Sequence, residues 1–177
     1  MLSDVDINVL ADKMRIDNLA GCFYKSQLKN MKFKPNVAYI INLEDEDEVG
    51  HGTHFTCLVS QTNPDTKELE YFYFDSVGAI SPKEVYQFTK QKNIPYSDSQ
   101  LQGILSNESC GYWCLSLLYM LNVYPLRTNK LYENATFFIN LFDNLYDKSD
   151  VFKNEYMLKS FFNSIDEVPK SYVEHIN

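Results

Sequence analysis

Ser109-Cys110-Gly111-Tyr112-Trp113-Cys114-Leu115-Ser116-Leu117-Leu118-Tyr119-Met120-Leu121 is the most apolar stretch of this chain and reads as one buried helix. Ser109 is placed to cap it, and Pro125 sets its far limit. A thiol at the first turn of such a helix meets the positive end of the peptide dipoles, which favours the thiolate. Gly111 leaves room beside that sulfur for a substrate backbone. A cysteine here is also an ordinary core residue, so the partners it would need decide between the two readings.

Upstream, Ser3 to Lys13 reads as a helix capped by Ser3, with Asp6 three residues on. Asn36 to Asn42 is a buried strand candidate, followed by the acidic run Glu44-Asp45-Glu46-Asp47-Glu48 and by Gly50-His51-Gly52-Thr53. Thr53 to Ser60 alternates as a strand, Glu68 to Phe74 is rich in Tyr and Phe, and Asn63-Pro64-Asp65 between them signals a turn. The pair forms an antiparallel hairpin. Ser81-Pro82-Lys83-Glu84 is a capping box with Pro at the first helical position, opening a helix to about Lys92. A short strand is expected near Ser99 to Ile104. Two amphipathic helices close the chain. One runs near Lys130 to Tyr146; the other, near Asp150 to Ile165, carries Phe152, Tyr156 and Phe161 on its apolar side. The order predicts a single α+β domain over residues 1–177, with a mainly antiparallel central sheet flanked by helices.

The 177 residues can bury roughly 70% of the extended chain's surface. Thirteen Tyr and 12 Phe argue against disorder. The start is acidic where a secretory leader would be basic, and Cys114 to Leu121 is too short to span a bilayer. The four cysteines, Cys22, Cys57, Cys110 and Cys114, lack a disulfide-scaffold pattern, which points to a reducing intracellular compartment. The sequons at Asn107 and Asn134 are then accidental. A net charge of −8 disfavours DNA binding. Nothing in the pattern calls for membrane attachment or for more than a monomer.

A thiol nucleophile needs a base and a group that orients the base. His54 starts the Thr53 to Ser60 strand and Asp75 follows the neighbouring one, so the hairpin brings them together; with Cys110 they make a Cys-His-Asp relay. His51 sits between two glycines, and His175 lies near the end of the sequence; both are weaker candidates for the base. Asp75 also suits a plain turn role. A zinc set of His51, His54, Cys110 and Cys114 is disfavoured because Cys114 lies a full turn inside the apolar helix. Cys57 and Cys114 read as core residues. The acidic run is a solvated loop or a docking site for a basic substrate or partner.

The ordered set Gly52-Thr53-His54-Phe55, Asn63-Pro64, Tyr73-Phe74-Asp75-Ser76-Val77-Gly78, Val85-Tyr86-Gln87-Phe88, Gln102-Gly103 and Ser109-Cys110-Gly111 resembles the adenain family of viral maturation cysteine proteases. More distantly it is similar to the SUMO-deconjugating proteases of the same clan. The likeness spans about Leu19 to Val123 and looks nearest to mavirus-like relatives from virophages and polinton-type elements. It implies an adenain-like fold, with Cys110 as nucleophile, His54 as general base, Asp75 as its orienter and Gln102 as an oxyanion donor beside the Cys110 backbone N–H. It implies Phe55 and Gly111 along the substrate channel, and an acyl-enzyme route through Gly-containing sites next to small residues. The implied substrates are capsid or other virion precursors, and the implied setting is the virion and the host-cell assembly site. A deconjugase for ubiquitin-like proteins and a catalytically silent virion-binding protein are the alternatives.

Three departures follow. Gln102 stands eight residues before Cys110, farther than in that family, which keeps Gln100 open as the donor. The carboxylate is Asp75 where adenain has Glu. Adenain is activated by a disulfide-linked peptide and by DNA. Here Gln91 to Ser99 has no cysteine to link such a peptide, and the negative charge speaks against DNA. No cofactor is therefore expected, with a peptide activator held without a disulfide left open.

Overall fold

In a computed structural model, residues 2–45, 54–103, 108–124, 126–145 and 151–176 are described. The elements in chain order are α1 (Asp4–Lys13), β1 (Leu19–Tyr24), a 3-10 helix (Lys25–Asn30), β2 (Ala38–Asn42), β3 (Phe55–Thr62), β4 (Leu69–Phe74), α2 (Lys83–Thr89), α3 (Cys110–Val123), α4 (Leu131–Ile139), α5 (Val151–Asn163) and α6 (Lys170–Val173). The four strands form one sheet in the order β1-β2-β3-β4. The β2–β3 and β3–β4 pairs are antiparallel, but β1 and β2 run parallel, so the sheet is mixed.

That parallel edge is what the sequence hides. β1 reads Leu-Ala-Gly-Cys-Phe-Tyr, with Gly21 at φ +140° and a register shift between Leu19 and Cys22. A glycine-broken, half-exposed edge strand carries neither alternation nor β-branched residues to announce it.

Alternating strand residues face two separate cores. Ile40, Phe55, Cys57, Val59, Phe72 and Phe74 pack with α1, α3, α4 and α5. Tyr39, Ile41, Leu58 and Tyr73 pack on the other face with Leu28 of the 3-10 helix and with Val85 and Phe88 of α2. The molecule is therefore an α+β layer structure with α3 at the centre of the larger core. Cys110 through Leu118 are all buried, and Trp113 meets Phe142 edge-on at 4.7 Å between ring centroids. Among the described residues no helix is long and apolar enough to cross a membrane.

Several expectations change. α1 has its capping box, with Ser3 accepting from the Asp6 N–H and Asp6 from the Ser3 N–H. α2 does not: Pro82 is its N-cap, makes no side-chain cap, and the Ser81 hydroxyl is buried without a partner. Residues 99–103 form no strand. They are a loop whose Leu101 and Gln102 N–H groups both donate to the Ser76 carbonyl, at 2.8 and 3.0 Å. α4 ends at Ile139 rather than near Tyr146, because the chain turns away and the Leu145 N–H donates to the Gln100 carbonyl at 2.8 Å. α5 is rotated from its expected setting: Phe152 and Tyr156 are exposed, while Asn154, Glu155, Leu158 and Phe162 are buried. Past it, Val173 of α6 and Ile176 are buried, so the chain remains packed to that point.

Candidate active site

The hairpin register places Cys57 opposite Phe74, which puts the entry to β3 beside the exit from β4. His54 and Asp75 sit there, and His54 Nε2 lies 2.8 Å from Asp75 Oδ1. The Asp75 side chain is 1% exposed and the His54 side chain 27%. Asp75 Oδ1 also accepts from the Val77 N–H at 2.9 Å, an Asx turn that aims the carboxylate. The turn role and the orienting role are thus performed by the same oxygen.

Cys110 is the first residue of α3 and is fully buried. Its Sγ accepts from the Phe55 N–H at 3.4 Å, so the residue after the histidine also holds the sulfur. The His54 side chain is hydrogen-bonded to both Asp75 and Cys110. With Nε2 taken by Asp75, Nδ1 is left for the sulfur. Burial works against charge on the ring, but the hydrogen bonds and negative charge of Asp75 and Cys110 outweigh it and push His54 up to about 10. These partners favour the charged form of the ring.

Two further thiols, Cys22 and Cys114, sit where burial opposes ionisation. Burial, with Asp4 and Cys110 adding to it, pushes Cys22 up to about 12. Burial likewise holds Cys114 well above its ordinary range, helped by its contact with Cys57 and by Cys110. Cys114 Sγ donates to the Phe55 carbonyl at 3.5 Å.

Gln102 is buried, and its Oε1 accepts from Ser76 Oγ at 2.8 Å. Gln100 uses its own Nε2 to donate to the Gln102 carbonyl at 3.0 Å, so it supports the loop. The proposed channel residues are placed differently from expectation. Phe55 is 1% exposed in the larger core. A Cβ on Gly111 would meet Leu2 and Ile7 side chains at 3.3 Å and Phe55 at 3.5 Å. Gly111 thus lets α1 close against α3; neither residue borders open space here.

Three supporting residues escape a sequence reading. Ser76 fixes Gln102, as above. Ser109 adopts a helical conformation, makes no cap, and donates to Glu155 Oε1 at 2.9 Å. Asn154 donates to the Leu101 carbonyl at 3.0 Å and to the Asp143 carbonyl at 2.7 Å, and accepts from the Asp143 N–H at 2.9 Å. α5 therefore grips the residue before Gln102 and the residue before Cys110 from one side. The only signal in the sequence is the Asn-Glu pair inside an otherwise amphipathic helix.

His51 and Glu46 to Glu48 lie outside the described residues. Among the described residues no three His, Cys, Asp or Glu side chains are grouped to hold a metal. The Asn134 sequon is structural: its Oδ1 accepts from the Arg127 and Thr128 N–H groups.

Gly78 closes the Asp75 turn at φ +77°, and a Cβ there would strike the Asp98 carbonyl oxygen and lie 2.8 Å from its carbon. Gly78→Ala should cost about 2–3 kcal/mol, a fall in Tm of ~5–10 °C by calorimetry. An unchanged Tm would mean that the turn and the 98–99 backbone separate freely.

No family model matches this chain, and no curated protein matches it.

Proposed function

We propose that the protein is a cysteine endopeptidase acting on virion precursors, with Cys110, His54 and Asp75 as its triad. The observation that carries the reading is an imidazole held at 2.8 Å by a buried carboxylate and hydrogen-bonded to a thiol at the start of a buried helix. Cys110 Sγ attacks the scissile carbonyl carbon, and the C–N bond breaks as His54 Nδ1–H protonates the leaving amine. Water, giving its proton to His54, then attacks the thioester, and the acid product leaves with the thiolate restored. The Cys110 backbone N–H and Gln102 Nε2 supply donors to the oxyanion. The Ser76 bond to Gln102 supports that choice over Gln100. The resemblance to adenain supports capsid precursors cut at small or Gly-containing sites as the substrates.

The complete burial of Cys110 favours a second reading, a virion-binding protein that keeps the fold without the chemistry. Thiol reactivity separates the two. Iodoacetamide at pH 8 should label Cys110 at least ~10-fold faster than Cys57, Cys114 or the less buried Cys22, as read by peptide mass mapping. Labelling led by Cys22 would mean that exposure alone sets the order and that Cys110 is not activated.

A further inference from the structure

A second feature lies on the sheet face opposite α3. The 3-10 helix and α2 enclose a groove of about 640 Å³, lined by Leu28, Met31, Phe33 and Phe88 and bordered by Lys29, Lys32 and Lys90. Its volume is within the ~300–1,000 Å³ of ligand clefts. Leu28 and Phe88 are buried members of the smaller core, and Phe33 stands edge-on to Phe88 at 5.5 Å and packs on Tyr39 at 6.0 Å. The floor is therefore apolar and rigid.

The border has the opposite charge to the rest of the chain. Residues 25–34 and 83–92 hold seven of the 16 basic residues and one acid, Glu84, in a protein of net charge −8. Lys29, Lys32 and Lys90 are exposed, and among the described residues none meets a carboxylate. Lys90 ends α2 at φ +58°, a left-handed position where glycine is the usual residue.

We infer that this groove binds an acidic segment of a partner protein, seating an aromatic or aliphatic side chain on Phe33 and Phe88 while its carboxylates meet Lys29, Lys32 and Lys90. Charge complementarity selects the occupant: a neutral apolar segment leaves the three cations unanswered, and a basic one is repelled. The assignment is independent of the chemistry at Cys110, because the sheet separates the two.

The probe is a ten-residue peptide of alternating Asp and Glu around a central Phe-Leu, followed by amide chemical-shift mapping and fluorescence anisotropy on the full chain. Shifts should cluster on residues 28–33 and 87–90. Binding should weaken as salt rises and fall at least ~10-fold in the variant K29E/K32E/K90E, whose exposed positions leave the fold intact. That variant should label at Cys110 as the wild type does, and should prefer the same peptide with Lys for its acids. Four results would each overturn the inference: shifts clustered elsewhere, equal binding after Phe-Leu→Gly-Gly in the peptide, tighter binding of an oligothymidine, or self-association of the chain that the triple variant abolishes. The last would assign the groove to a second copy.

Discussion

Cys110→Ala should leave a co-expressed capsid precursor uncut, with turnover lowered by roughly 10⁴-fold or more, because no other group in the site can form the acyl bond. The fold should survive. The substitution removes one atom, which meets the His54 ring and accepts from the Phe55 N–H at 3.4 Å, and costs about 1–2 kcal/mol for those contacts, or a few degrees in Tm. Cys110→Ser separates shape from nucleophilicity: the hydroxyl refills the space but is a weaker nucleophile than sulfur, so it too should be inactive. Sequencing the new N-termini of the wild-type products gives the cleavage motif directly. Equal processing by wild type and Cys110→Ala would transfer the protein to the binding reading, since His54 and Asp75 would then hold a sulfur that does nothing.

What the sequence reveals here follows from how local each determinant is. The β3–β4 hairpin is legible because Asn63-Pro64-Asp65 and the aromatic run fix turn and register together, and register carries His54 to Asp75. α3 is legible from composition alone. The parallel partner β1 is not, because its pairing to β2 is decided by a crossover and a bulge at Gly21 rather than by its own pattern. The setting of α5 is the most instructive case. Phe152 and Tyr156 mark an apolar face that the structure leaves in solvent, and Asn154 and Glu155 turn inward. Burying two polar side chains is offset only when their hydrogen bonds are made, and here those bonds end on Leu101, Asp143 and Ser109. Ser109 and Leu101 lie 46 and 53 residues away, beyond any local pattern. The same holds for Ser76, which looks like a turn residue until its Gln102 bond is seen.

Asp75→Asn tests the electrostatic centre of the site. Asp75 Oδ1 receives both the His54 ring N–H and the Val77 N–H, at 2.8 and 2.9 Å. Asn retains one carbonyl oxygen, which stays with the Val77 turn, and turns an NH₂ towards Nε2. The ring must then accept at Nε2 and carry its proton on Nδ1, facing the sulfur, so it can no longer act as base there. Turnover should fall by about 10³–10⁴-fold with the fold intact. The ring charge should change with it. In the wild type His54 is raised to about 10, above the ~6.5 of an unfolded chain, so its contribution to stability is full below pH 6.5 and disappears as pH climbs towards 10. The alkaline limb of kcat/KM should lie in that same upper range, where the imidazolium loses the proton destined for the leaving amine. In Asp75→Asn the burial that opposes charge acts with less compensation. The ring should then titrate at least ~2 pH units lower in a histidine-selective NMR titration, and the loss of thermal stability between pH 7 and 10 should flatten. A wild-type ring titrating near 6.5, with Asp75→Asn unchanged, would mean that the 2.8 Å contact orients the imidazole without holding its charge, and the ion pair on which the mechanism depends would not exist.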